Sequence, residues 1–163
     1  PNEEVRQALY DMVLPTLTMR AESETQSLQA SLFRQLGTGQ LNEAKNTLKS
    51  LIADVPYSNK KLASMDMEER YRLIISSILN AIGFRVEVER MLATGRMDIV
   101  AYSYGYIYVM ELKLSNNGGM LAAKEQILNN KYLAPFKADK RKVIGLAIEL
   151  DEKGKGLIDW EEV

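Results

Sequence analysis

The sequence predicts an α/β protein built on a mixed sheet, and three observations carry the prediction. Residues 84–90, FRVEVER, alternate strictly between apolar and polar, as a half-buried strand does. Residues 97–113, MDIVAYSYGYIYVMELK, hold two apolar runs around a short turn. Patterns of helical period flank these strands, giving the order helix, three strands, helix, strand.

Residues 1–55 read as a small helical N-terminal region. NEEVRQALYDMVLPTL has an N-cap in Asn2, acidic Glu3 and Glu4 in its first turn, and an apolar stripe of Val5, Leu9, Met12 and Val13 that Pro15 ends or kinks. TQSLQASLFRQL and LNEAKNTLKSLIADV make a second and third helix around GTGQ. PYSNKK at 56–61 reads as a linker, so the division is 1–55 and 56–163. In the second unit MEERYRLIISSILNAIG carries Tyr71, Ile74, Ile75, Ile78, Leu79 and Ile82 at helical spacing, and Gly83 is a natural stop. GMLAAKEQILNNKYLAPF reads as a helix ending near Pro135, KVIGLAIEL as a buried strand, and KGLIDWEEV as a short last one.

Composition narrows the chemistry. The chain has 163 residues, 46% hydrophobic and 26% charged, which is ample for one globular core. It has no cysteine and no histidine. Disulfides, thiolate sites and the usual zinc ligand are excluded, and any metal would have oxygen ligands: magnesium, manganese or calcium. A serine nucleophile would lack a histidine base. There is no G-x-x-x-x-G-K-[ST] phosphate loop and no membrane-length apolar run, so a cytoplasmic protein is the expectation. Net charge is −1, yet between Lys113 and Lys142 basic residues outnumber acidic ones by seven to two. That stretch is either a phosphate-attracting patch or a solvated surface. Pro1 fits both removal of an initiator Met and excision from a longer protein.

The charged ends of the 97–113 hairpin concentrate the functional signal. If Tyr104 and Gly105 form a two-residue turn, Asp98 lies opposite Glu111, and Lys113 projects from the same face as Glu111. Paired carboxylates repel unless a cation lies between them or one stays protonated. A hard divalent ion satisfies the pair. So does Lys113 alone, neutralising both at a strand end without metal. The spacing is not diagnostic, because acidic-x-Lys recurs at Glu43–Lys45 and Asp151–Lys153.

With these residues in view, GRMDIV…IYVMELKL…EQILNNKY resembles the PD-(D/E)XK nuclease superfamily, and within it the branch at the C-terminus of bacterial AAA-ATPase-like proteins. The resemblance covers residues 57–163, and the preceding helices look like the connector to that domain. It implies a restriction-endonuclease-like core and a nuclease that hydrolyses phosphodiester bonds of nucleic acid, DNA more than RNA. Asp98 and Glu111 would ligate magnesium or manganese, and Lys113 would position the attacking water. An AAA-ATPase-like domain would belong to the same full-length chain. The alternative is a catalytically silent module of the same fold that binds nucleic acid or protein.

Four further residues have two readings each. Glu69 falls where the superfamily often supplies another carboxylate, but Asp66-Met67-Glu68-Glu69 is also a capping box. Glu89 is favoured as a site carboxylate by the resemblance and as a solvated strand residue by alternation. Arg96 can meet a phosphate or pair with Glu89 or Glu111. Gln126 and Tyr132 echo a glutamine and tyrosine of related nucleases. Six residues apart, they would lie about 240° apart on an ideal helix, leaving Gln126 facing the site and Tyr132 in packing.

Overall fold

The computed structural model describes residues 22–53, 55, 62 and 64–163. The expected first helix at 2–17 and the expected linker at 56–61 lie outside the described residues. Helix α1 spans Glu22–Gly37, α2 Leu41–Ala53 and α3 Met67–Ala81. Three strands follow, β1 Arg85–Leu92, β2 Gly95–Tyr102 and β3 Tyr106–Leu114. Helix α4 spans Gly119–Asn129, a 3-10 turn covers Ala134–Phe136, and β4 Lys142–Leu150 and β5 Leu157–Glu162 complete the chain.

The five strands form one sheet in the order β1-β2-β3-β4-β5. Both hairpins and the β4–β5 pair are antiparallel, and β3 pairs parallel with β4. The parallel pair requires a crossover, which α4 supplies. The sheet is therefore mixed, as the order of apolar patterns predicts.

Apolar side chains fill both faces. On one face Leu32 and Leu36 of α1, Leu48 and Leu51 of α2, and Ile75, Ile78 and Leu79 of α3 share a cluster with Ile99, Tyr108, Met110 and Leu146. Each such fully buried aliphatic side chain contributes about 1.5–3 kcal/mol over exposure. On the other face Ala123 and Ile127 of α4 pack with Met97, Val100, Val109, Tyr132 and Phe136. The first two helices thus share their core with the sheet, and Tyr108 Oη donates to the Leu36 carbonyl across that layer.

Helix α3 starts as its sequence predicts, with the Asp66 carboxylate accepting from the Glu69 N–H at 2.8 Å. Helix α4 stops earlier than predicted, at Asn129 and not near Pro135. Lys131 adopts a left-handed φ of +52°, and the Tyr132 N–H returns to the Ile127 carbonyl at 3.1 Å. This closure folds the chain back beside the helix end.

Candidate active site

The central hairpin has the register that its turn predicts. Ile99 pairs with Met110, and the ladder continues to Tyr102 with Ile107. Ser103 N–H donates to the Tyr106 carbonyl at 2.9 Å, leaving Tyr104 and Gly105 as the turn. Toward the other end the ladder stops at Ile99 and Met110, although both strands continue. There the Asp98 side chain takes over, its Oδ2 accepting from the Leu112 N–H at 2.9 Å.

Strand alternation breaks at the same level. Met97 and Val100 belong to one apolar cluster while Ile99 belongs to the other, so strict period two fails across Asp98. On β1 the neighbouring irregularity is Glu89, whose φ is +55°. Val88 pairs with Ile99 and Arg90 with Met97, but Glu89 and Asp98 between them do not pair. Both carboxylates consequently reach α3, which alternation does not predict for Glu89.

They meet there at Arg72, which is 8% exposed. Its Nε donates to Asp98 Oδ1 at 3.3 Å and its Nη1 to Glu89 Oε1 at 3.0 Å. Its Nη2 lies 3.8 Å from Glu68 Oε1, one turn earlier on the helix. Each nitrogen of the guanidinium therefore faces a different carboxylate. A buried guanidinium requires such company, because an unpaired buried charge is costly.

Asp98, Glu111, Lys113, Glu68, Arg96, Gln126 and Tyr132 line one open cleft of about 430 Å³. Asp98 and Glu111 are 3% and 2% exposed. Burial, followed by the neighbouring Asp98 charge, holds the Glu111 carboxyl well above its usual range. The same two causes, in the same order, raise Glu68. The Lys113 ammonium makes no hydrogen bond or ion pair among the described residues, although its charge acts on both glutamates.

The other predicted residues distribute around this cleft. Glu69 lines the adjoining cleft with Glu89 and Asn117, while its neighbour Glu68 faces Asp98 and Glu111. Arg96 Nη1 pairs with Glu89 Oε1 at 3.4 Å, and its half-exposed side chain borders both clefts. Gln126 and Tyr132 are neighbours, against the expectation from an ideal helix, because α4 has ended between them. Gln126 Nε2 donates to Tyr132 Oη at 3.1 Å, and that hydroxyl donates to the Arg96 carbonyl at 2.6 Å. Gly95 permits this approach: a Cβ there would lie 3.0 Å from Asn130 Nδ2 and 3.2 Å from Tyr132 Oη.

A family model of the PD-(D/E)XK nuclease superfamily matches residues 66–160. The chain belongs to that superfamily. No curated protein and no solved structure matches the chain. The fold is restriction-endonuclease-like, preceded by helices, and the matched span contains every residue of the cleft.

PD-(D/E)XK nucleases generally use divalent metals. Glu111 Oε2 is buried and has no hydrogen-bond partner among the described residues. A buried carboxylate oxygen is rarely left bare, and a hard cation bound beside Asp98 would satisfy it. Among the described residues no three acidic side chains gather as a metal-holding group, so protein ligation would rest on Asp98 and Glu111. That donor set suits magnesium, which retains several waters.

Sequence reasoning does not find Arg72 or Glu68 as members of the site. The available signal is their i, i+4 spacing on a helix whose apolar stripe runs immediately beside Arg72. Among the described residues no helix is long and apolar enough to cross a membrane.

Proposed function

We propose that this domain is a metal-dependent nuclease that hydrolyses phosphodiester bonds, with DNA ahead of RNA as substrate. The observation that carries the reading is the buried Glu111 Oε2 beside Asp98, without a hydrogen-bond partner among the described residues, as is the Lys113 ammonium in the same cleft of a nuclease-superfamily fold. Asp98 and Glu111 would hold magnesium or manganese. When bound, such an ion supplies a Lewis acid that lowers the pKa of a coordinated water and withdraws charge from a phosphoryl oxygen.

The chain's own groups supply the rest. Leu112 N–H and Arg72 fix both oxygens of Asp98, so its carboxylate needs no reorientation. The Lys113 ammonium, free of partners among the described residues, orients the attacking water and neutralises charge developing on the phosphoryl group. Arg96 at the rim offers a guanidinium to a neighbouring phosphate. Gln126, held by Tyr132, presents its amide to the cleft.

An AAA-ATPase-like domain in the same full-length protein is part of this proposal. It is supported only by the wording of the motifs and by the helices that precede the domain. A second reading is a silent module of the same fold. It is favoured by the ion pair that already engages Asp98 and by the absence of a three-carboxylate metal group among the described residues.

The deciding experiment is a manganese-supported cleavage assay on mixed DNA and RNA. Cleavage abolished by EDTA and by Lys113→Ala, with folding intact, establishes the nuclease. Binding of nucleic acid without any cleavage selects the silent module.

A further inference from the structure

The basic residues between Lys113 and Lys142 fall into separate places in the fold. Lys113 lies in the cleft, and Lys124 pairs with Glu161 at 3.2 Å. Lys137, Lys140, Arg141 and Lys142 instead follow Phe136 along the Tyr102 end of the sheet, where Arg85 and Arg90 of β1 join them. Aromatic rings order this group. The guanidinium carbons of Arg85 and Arg141 lie 3.8 and 5.2 Å from the Tyr102 ring centroid, and that of Arg90 lies 5.0 Å from that of Phe136. Glu87 and Asp139 pair with these arginines, so six cations stand against two anions. Arg85, Lys137, Lys140 and Lys142 are exposed. Tyr104 is fully exposed in the turn whose Ser103 and Gly105 carbonyls accept from Arg141 Nη1 and the Lys142 N–H.

We propose that this end of the sheet, outside the cleft, is a docking surface for the phosphate backbone of nucleic acid. It deepens the proposed function by placing the substrate, and rests on the nucleic-acid part of that reading alone. Charge complementarity selects the occupant, since a polyanion gains most from cations gathered on one surface. Stacking on a ring orders a guanidinium while leaving its edge to donate to phosphate oxygens. An exposed tyrosine among cations also offers a base a stacking platform, which an acidic peptide would not need. Strand β1 carries the surface toward the cleft, because Arg90 immediately precedes Met91 of the cleft wall. Asp98 and Tyr102 are separated by about 13 Å along β2 at the usual strand rise. A duplex covers that length in about four base pairs.

Fluorescence anisotropy of a short labelled DNA duplex, in EDTA so that nothing is cut, reads binding by the full chain across a salt series. Removing two charges in Arg85→Ala with Lys140→Ala should weaken binding about tenfold near 0.1 M salt and reduce the log–log salt slope by about two. Removing two charges elsewhere, in Lys49→Ala on α2 with Lys155→Ala between β4 and β5, should change affinity less than about twofold. If Arg85→Ala disturbs β1, Lys137→Ala with Lys140→Ala repeats the measurement on two exposed residues outside the strands. Equal effects of the patch pair and the distant pair, no effect of the patch pair, or no binding by the parent chain would overturn the inference. So would displacement of the duplex by polyglutamate as readily as by unlabelled DNA, which marks a surface for acidic protein. Weakened binding in the patch pair, together with no manganese-supported cleavage by the parent chain, upholds the inference and removes the nuclease reading. Cleavage by the parent chain with unchanged binding in the patch pair does the reverse.

Discussion

Asp98 Oδ2 accepts a hydrogen bond from the Leu112 backbone N–H at 2.9 Å, one residue beyond the last paired position of β2 and β3. A side chain thus replaces a backbone carbonyl in the ladder, next to Glu111 on β3. Asp98 is consequently both a structural closure and a candidate ligand.

Replacing Asp98 by Ala should therefore cost stability as well as activity. It leaves the Leu112 N–H and the Arg72 Nε without their acceptor, and the expected loss is about 3 kcal/mol, as for breaking a buried pair. Asp98→Asn keeps one oxygen and should lose less, about 1.5–2 kcal/mol. Urea denaturation of both variants measures the difference.

Lys113 should behave in the opposite way. It has no ion pair to lose among the described residues, so Lys113→Ala should change stability by no more than about 0.5 kcal/mol. Cleavage should nevertheless fall by about 10²–10³-fold, as for removal of one preorganised charge-stabilising group. Parallel melts and cleavage rates at saturating manganese check both halves.

The raised Glu111 carboxyl makes metal binding and stability depend on pH. Its folded pKa lies above the ordinary 4.5, near 9, because burial and then the Asp98 charge disfavour ionisation. A carboxyl raised in this way favours folding while protonated, so without metal its contribution is full below about 4.5 and fades as pH climbs toward 9. A bound cation needs the ionised form, so Mn²⁺ binding near pH 7 should release a proton and tighten with rising pH. Calorimetric titration in buffers of different ionisation enthalpy reads that proton directly.

Tyr132→Phe tests the support beneath the site. The hydroxyl donates to the Arg96 carbonyl and accepts from Gln126 and Asn130, so its removal leaves several polar groups short of partners. The expected cost is about 1–2 kcal/mol, a fall in melting temperature of roughly 3–6 °C. Gln126→Ala should cost less, since its amide is only partly buried.

Much of the fold was legible because its signals are local. The Tyr104–Gly105 turn sets the β2–β3 register as far as Ile99 and Met110, and Asp98, Glu111 and Lys113 line one cleft just past the last pair. What escaped the sequence depends on contacts between distant elements. Arg72 is polar and would ordinarily be placed on the solvent face, yet three carboxylates from three elements make its burial tolerable. Alternation misplaces Glu89 because a left-handed residue interrupts the strand, and helical phase misplaces Tyr132 because α4 has already ended. Glu69 and Glu68 lie about 100° apart on the helix, and which of them faces Asp98 depends on how α3 is rotated against the sheet.

The paired irregularity at Glu89 and Asp98 limits how this site could be moved to another scaffold. Copying the acidic residues onto two regular strands would send Glu89 and Asp98 to the face that strict alternation dictates, away from the helix that carries Arg72. A graft would have to transplant the left-handed backbone of one strand and the interrupted ladder of the next as a unit. The transferable element is therefore a backbone shape shared by two strands, with the side chains as its passengers.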